Sequence, residues 1–150
     1  MYADQLSQRI ISMKSAVATG DYTDALFECA GLARKCFANN FMKGGNQKDT
    51  WPPRKDPLLT HPLLMLSLAM FNATTQVSAP GSATINTGRY VDISVDLNVV
   101  PYARAQNYGY PPRNLPMRKF MVLDDETKVE IRKILSKRTA ELIIEAMNKV

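Results

Sequence analysis

The clearest indication of the fold class of this 150-residue chain is the stretch Tyr90-Val91-Asp92-Ile93-Ser94-Val95-Asp96-Leu97-Asn98-Val99. From residue 91 to residue 99 the odd positions are apolar and the even positions are polar, a period of two that is typical of a half-buried strand. One face of such a strand meets a core, and the other meets solvent or a partner. The alternation therefore predicts a strand over residues 90–99, and with it a sheet.

The segments before this strand predict a helix, a second strand and a turn. Apolar residues are almost continuous from Leu63 to Phe71, which favours a short buried helix with Pro62 at its first position, where the missing N–H costs nothing. Residues 74–77 are rich in β-branched side chains and predict a short strand. The sequence Ala79-Pro80-Gly81-Ser82 predicts a turn.

The segments after the strand predict loops, one more strand and a helix. Residues 101–110 are rich in tyrosine, and residues 111–114 predict a loop. Residues 115–123 are interpreted as another short strand. The acidic run Asp124-Asp125-Glu126 opens the last helix, because negative charge is favoured at a helix N-terminus.

Two amphipathic helices precede a long loop at the front of the chain. Leu6 and Ile10 begin an apolar stripe at helical spacing that predicts a first helix ending at Gly20. Asp21 is predicted to cap a second helix that ends near Asn39 and Asn40. Its expected apolar stripe consists of Tyr22, Leu26, Cys29, Ala33, Cys36 and Phe37.

These patterns together predict an α+β fold, with a small, mainly antiparallel sheet packed with the N-terminal helices and a long C-terminal helix. We expect a single domain over residues 1–150. Its parts are a helical region (1–40), a long loop (42–61), a mixed helix and strand centre (62–123) and a C-terminal helix (124–150).

Composition and charge restrict the classes of function. Hydrophobic residues make up 45% and charged residues 22% of the chain, which excludes a wholly disordered or collagen-like protein. The net charge of +5 is concentrated in residues 51–123, which carry seven basic and three acidic side chains and all nine prolines. This basic centre permits an anionic partner and makes a nucleic-acid-binding module the alternative function.

No residue pattern predicts catalysis, a cofactor or a metal site, so we expect a protein that is not an enzyme. Cys29 and Cys36 lie seven residues apart on one helix face and are interpreted as buried thiols. His61 is interpreted as a loop or capping residue. Asp92 and Asp96 are spaced for acid–base or metal chemistry, but a solvated strand face is the expected role. The apolar stretch 58–71 is too short to cross a membrane, and we expect a soluble cytoplasmic product without a signal peptide.

Four landmarks occur in order along the last three-quarters of the chain. They are Asn40-Phe41-Met42-Lys43-Gly44-Gly45 with Trp51-Pro52-Pro53; His61-Pro62-Leu63-Leu64-Met65-Leu66-Ser67; Pro101-Tyr102-Ala103-Arg104-Ala105-Gln106-Asn107-Tyr108-Gly109; and Asn114-Leu115-Pro116-Met117-Arg118-Lys119-Phe120 with Leu123-Asp124-Asp125-Glu126. In their order and spacing they resemble the virion morphogenesis proteins of tailed bacteriophages, which complete the tail or form the neck.

The resemblance implies a structural virion protein at the head–tail junction, needed to complete the tail and join it to the head. It implies a homo-oligomeric ring of six or twelve subunits, assembled in the bacterial host cytoplasm. The implied partners are the tail tube or tail terminator and the head connector, with no membrane and with DNA in the channel as a further contact. The candidate interface or motif residues are Trp51, Pro52, Pro53, Tyr102, Gln106, Tyr108, Gly109, Arg113, Pro116, Arg118 and Phe120.

Several of these residues have an expected structural role. Trp51 is expected to pin the long loop to the body, and Tyr102 and Tyr108 to bury their rings while their hydroxyls reach polar partners. Gly109 allows a positive φ. The planar fork of Arg118 suits a carboxylate or a cluster of carbonyls. It is expected either to pair with Asp124 or Asp125 or to serve an interface.

Overall fold

The computed structural model describes residues 2–60, 63–65 and 67–149. Within them the chain forms five α-helices, a 3-10 turn and a two-stranded antiparallel sheet, which confirms the predicted α+β class. The elements are α1 (Tyr2–Thr19), α2 (Thr23–Lys43), α3 (Ala69–Thr75), β1 (Ser82–Asn86), β2 (Val91–Val95), α4 (Ala103–Tyr108), the 3-10 turn (Pro111–Arg113) and α5 (Asp125–Met147).

The two predicted N-terminal helices are present, but α2 is longer than expected. Asp21 accepts hydrogen bonds from the backbone N–H and the hydroxyl of Thr23 at 2.8 and 2.6 Å, although Tyr22 is the N-cap residue. The predicted end near Asn40 is wrong, because Asn40 and Phe41 are buried and continue the helix. The helix ends at Gly44, whose φ of 67° provides the left-handed stop.

The helix predicted over residues 63–71 forms further along the chain. Leu64 and Leu68 have φ values of 63° and 57°, and this left-handed backbone is incompatible with a helix through them. Helix α3 therefore begins at Ala69. The strand predicted at 74–77 is also wrong, since Thr74 and Thr75 form the last turn of α3. The predicted helix start at Pro62, and His61, lie outside the described residues.

The sheet is a hairpin of β1 and β2, with Ser82 opposite Val95 and Asn86 opposite Val91. The predicted turn at 79–82 leads into β1, and the Ser82 N–H donates to the Ala79 carbonyl at 3.0 Å. The predicted strand over 90–99 is correct only as far as Val95. The Asp96 side chain accepts a hydrogen bond from the N–H of residue 98, and the Asp96 carbonyl accepts bonds from the N–H groups of residues 99 and 100. These bonds form a turn, which ends the strand.

The remaining centre differs from the prediction in two places. The tyrosine-rich stretch 101–110 contains the short helix α4. Residues 115–123 form no strand, and only Leu115 pairs, through an isolated bridge to Tyr110. Helix α5 begins as predicted, because Asp124 is its N-cap and accepts the Thr127 N–H at 2.7 Å.

Helix α2 is the central element of the fold. It packs against α5, α3 and the hairpin, and α1 packs on α5. The core lies at the C-terminal end of α2, around Phe41, which is 1% exposed. Its buried members are Phe41, Trp51, Met70, Ala73, Val100, Ala103 and Phe120. In the described part of the chain, no helix combines the length and apolar character that a membrane crossing requires.

Candidate functional site

Arg118 joins three of the sequence landmarks at one place. Its Nε and Nη2 atoms donate to the carbonyl oxygens of Pro52 and Pro53 at 3.1 and 3.2 Å. Its Nη1 atom lies 3.5 Å from Oε1 of Gln106, and its backbone N–H donates to the Gln106 carbonyl at 2.9 Å. The arginine fork therefore ties the long loop and helix α4 to the segment that leads into α5.

The predicted ion pair of Arg118 with Asp124 or Asp125 is wrong. Asp124 instead caps α5, and Asp125 lies 3.3 Å from Lys128. Arg118 is 6% exposed, so its side chain bonds inside the fold. Burial, with Arg54 nearby as a smaller cause, lowers the pKa of the Arg118 guanidinium.

An aromatic cluster and an indole hydrogen bond hold the long loop. Trp51 is 4% exposed, and its ring meets the ring of Phe41 edge-on with centroids 5.8 Å apart. The ring centroids of Phe120 and Phe41 are 5.1 Å apart. Trp51 Nε1 donates to the Lys119 carbonyl at 3.2 Å. Trp51 therefore anchors the loop, as its sequence context predicts.

Asparagines extend these tethers and were missed as site residues. Asn40 Nδ2 donates to the carbonyls of Phe120 and Val122 at 3.0 and 2.9 Å. Asn107 Oδ1 accepts the Phe120 N–H at 3.1 Å. Both residues belong to the landmarks quoted above. The segment 120–122 pairs with no described strand, so these amide side chains form hydrogen bonds with its backbone groups instead.

The candidate tyrosines do not bury their rings as expected. Tyr102 is 41% exposed and Tyr108 is 66% exposed. The Tyr102 hydroxyl lies 3.2 Å from the Ser67 hydroxyl, so its polar contact is itself at the surface. The buried aromatic positions of this region belong instead to Trp51 and Phe120.

Residues 108–117, from the end of α4 through the 3-10 turn, form a loop closed by backbone hydrogen bonds. Gly109 has the predicted positive φ, 77°. The Tyr110 N–H donates to the Leu115 carbonyl at 2.9 Å, and the Leu115 N–H returns a bond at 3.1 Å. At the tip, Arg113 is exposed and closes the 3-10 turn, while Pro116 is half-buried at the base.

No catalytic constellation is present among the described residues. They contain no group of three or more His, Cys, Asp or Glu side chains placed to hold a metal ion. Cys29 and Cys36 are buried and free, and burial raises the pKa of the Cys29 thiol. Asp92 is exposed on β2, whereas Asp96 lies in the turn beyond the strand.

One cleft of about 370 Å³ lies beside the Arg118 tether. Leu59, Leu63 and Met70 contribute apolar walls, and Arg54, Gln106 and Arg118 contribute polar groups. The described lining contains neither a nucleophile with an adjacent base nor paired carboxylates, so this cleft provides no recognisable reaction centre.

Comparisons of the chain with protein-family profiles, curated proteins and solved structures give no match.

Proposed function

We propose that this chain is a structural virion protein at the head–tail junction of a tailed phage, acting as a tail-completion or neck ring subunit. The observation that carries the proposal is the convergence of three landmark segments on Arg118. The loop that contains Pro52 and Pro53, the helix that contains Gln106 and the segment before α5 are tied together by its donors. The landmarks therefore support a rigid scaffold, which is what an assembly subunit requires.

The surface area of the chain supports assembly. The accessible area is 10077 Å² for a mass of 16.8 kDa, whereas a compact monomer of this mass exposes roughly 7,700 Å². The excess of roughly 2,400 Å² exceeds the roughly 1,600 Å² that one subunit contributes to two interfaces of standard size. A ring subunit makes two such contacts, one with each neighbour.

Exposed apolar side chains are present on several elements. Leu6 and Ile11 on α1 are 61% and 59% exposed, Phe27 on α2 is 64% exposed, and Ile144 on α5 is 57% exposed. Dispersed apolar residues are normal on a monomer. Together with the large surface area, however, they favour burial against neighbouring subunits.

The proposed partners follow from this location. The ring consists of six or twelve copies and contacts the tail tube or tail terminator on one side and the head connector on the other. It acts without a cofactor or a catalytic step, and assembles in the bacterial host cytoplasm before incorporation into the virion. DNA that passes through the ring is a further contact for the basic centre.

A null mutant of the encoding phage tests the proposal. Loss of the chain is expected to leave filled heads and unjoined tails, which electron microscopy of the lysate can count. Supplying the intact gene in trans is the matched control and restores joined particles. Normal infectious particles from the null mutant would contradict the proposal.

A nucleic-acid-binding module is the second candidate, favoured by exposed aromatic and basic groups near α4. Tyr102, Tyr108 and Tyr110 are at least 41% exposed, and Arg104 and Arg113 are exposed beside them. Stacking and phosphate contacts could use such groups. Four phosphate contacts would weaken DNA binding about a hundredfold between about 50 and about 200 mM salt. Fluorescence anisotropy with a labelled oligonucleotide measures this slope, and a chain that binds no DNA would contradict this alternative.

A further inference from the structure

We propose that the 108–117 loop of one copy docks in the cleft between α2 and α5 of the next copy, and that this contact builds the oligomer. This inference rests on the proposed ring function and assigns its subunit contact. It is carried by three features: the restrained shape of the loop, the complementary charge of the cleft, and their placement at different ends of α2.

Backbone hydrogen bonds and two prolines restrain the loop in the absence of a partner. The reciprocal bonds between Tyr110 and Leu115 close its base. Pro111 and Pro112 stiffen the 3-10 turn, and the Asn114 N–H donates to the Pro111 carbonyl at 2.9 Å. A rigid loop loses little conformational entropy when it binds, which favours affinity.

The side chains that the loop exposes have the composition of a protein interface. Tyr108 is 66%, Tyr110 45% and Met117 50% exposed, and Arg113 is exposed at the tip. Tyr, Met and Arg are enriched at protein interfaces, whereas Lys is depleted there. The loop contains no lysine, so its composition favours a protein partner over a nucleic acid.

The charge of the loop region has one sign. No Asp or Glu occurs from residue 97 to residue 123, a segment that carries Arg104, Arg113, Arg118 and Lys119. The Arg113 side chain makes no hydrogen bond or ion pair with the described residues. A partner that offers carboxylates therefore complements this loop.

The cleft between α2 and α5 offers carboxylates in a mainly polar lining, in which Ala25 and Ile134 are the apolar members. It measures about 380 Å³, and its lining includes Asp24 and Glu28 from α2 and Ile134 from α5. In the described part of the chain, the carboxylates of Asp24 and Glu28 have no hydrogen-bond or ion-pair partner. They lie one helical turn apart, where like charges repel.

The cations of the cleft do not neutralise this pair. Arg138 Nη1 lies 3.4 Å from Glu141 and 3.3 Å from Glu145, so its charge is already matched. The cleft lining carries the carboxylates of Asp21, Asp24, Glu28 and Glu141 against Lys137 and Arg138. An incoming guanidinium would therefore meet an excess of negative charge.

The loop and the cleft lie toward different ends of α2 within one copy. Asp24 lies in the first turn of α2, whereas Asn40, near the other end, binds the segment that follows the loop. Sixteen residues of helix separate them by about 24 Å along the axis. A contact between two different surfaces at different ends of a subunit is head-to-tail. Such contacts close into a ring when the rotation between neighbouring subunits divides a full turn evenly.

Charge reversal on each surface tests the contact. The variants are Arg113→Glu in the loop and Glu28→Arg in the cleft. Glu28 is chosen over Asp24 because Asp24 also stabilises the first turn of its helix. Native mass spectrometry of the full chain measures the oligomer, and circular dichroism checks folding. Arg132→Glu, at an exposed position of α5 outside the cleft lining, is the matched control.

Each single reversal is expected to raise the dissociation constant of the oligomer at least about tenfold, with the control unchanged. The double variant R113E/E28R restores assembly. An equimolar mixture of the two single variants also restores it, in oligomers that alternate the two chains, because residue 113 of every loop then meets a residue 28 of opposite charge.

Three results would overturn the contact: a wild-type chain that remains monomeric at its highest soluble concentration, single reversals that assemble like wild type, or a mixture that does not recover. A reversal at Arg113 that weakens DNA binding and leaves the oligomer intact would also overturn it. Particle imaging distinguishes failure of the contact from failure of the proposed function. If the chain lies at the head–tail junction but its oligomer is insensitive to charge reversal, only the contact is refuted.

Discussion

The Arg118 tether gives the sharpest prediction about what holds the landmarks together. We consider two replacements, Arg118→Met and Arg118→Lys. Methionine keeps much of the side-chain length and removes both the charge and the donors. Lysine keeps the charge but lacks the planar fork that reaches two carbonyls at once.

The expected losses follow from the contacts. The bonds to Pro52 and Pro53, at 3.1 and 3.2 Å, are charge-assisted, and each such bond contributes about 1.5–3 kcal/mol. Among the described residues, no carboxylate lies within 4.0 Å of Arg118, so methionine also removes the cost of burying a charge. We therefore expect the free energy of unfolding to fall by about 2 kcal/mol for methionine.

Lysine retains the buried charge and keeps at most one of the two carbonyl bonds in good geometry. We therefore expect the conservative replacement to be the more damaging one, with a loss of about 3–4 kcal/mol. Urea unfolding followed by Trp51 fluorescence measures both values. Trp51 is the only tryptophan, and it reports directly on the loop that Arg118 holds.

Arg132 on α5 provides the matched control, because it is exposed, lies outside the proposed contact and its side chain has no described partner. The same replacements there are expected to change stability by less than about 0.5 kcal/mol. An Arg118→Lys protein as stable as wild type would refute the argument that the fork geometry, rather than the charge alone, secures the tether.

Three further changes probe the scaffold by denaturant unfolding. Gly109→Ala is expected to cost about 1–3 kcal/mol, because φ is 77° and a Cβ would lie 3.1 Å from the Leu115 carbonyl oxygen; an unchanged midpoint contradicts this. Trp51→Phe is expected to cost about 1–2 kcal/mol through the lost indole hydrogen bond and ring volume. An unchanged stability would mean that other contacts hold the loop, and would contradict the anchoring role of Trp51. Asp124→Ala removes the α5 cap and costs about 1 kcal/mol. Hydrogen bonds from Thr127 lower the Asp124 pKa, so the carboxylate stabilises the fold at neutral pH. This contribution is lost progressively as the pH falls below about 4 and through the lowered pKa. The alanine variant should therefore lose less stability on acidification than wild type, and parallel curves would contradict the assignment.

The fold class follows from local patterns, but the element bounds in the centre do not. The alternation around Ile93 predicts β2, whereas β1 has only Ile85 as a large apolar residue, and that side chain is 54% exposed. The β-branched Thr74 and Thr75 favour a strand by propensity. In α3 their hydroxyls instead donate to the carbonyls one turn back, at 2.7 and 2.8 Å, and tertiary packing determines the outcome.

Some roles of the site residues can be predicted from the sequence, and others cannot. The anchoring role of Trp51 and the positive φ of Gly109 can be inferred from residue type and context. The partners of Arg118 cannot be inferred in this way, because they are backbone carbonyls about 65 positions away. Every residue has a backbone carbonyl, so the sequence does not show which ones accept a hydrogen bond. The Tyr110-Pro111-Pro112-Arg113 tip, within a stretch that lacks acidic residues, was the available signal for the exposed loop.

Electron cryo-microscopy of intact particles of the encoding phage is the most direct measurement of the central claim. We expect density at the head–tail junction into which this fold fits as a closed ring of six or twelve copies. Particles whose junction is fully accounted for by other chains, with this chain absent, would contradict the claim.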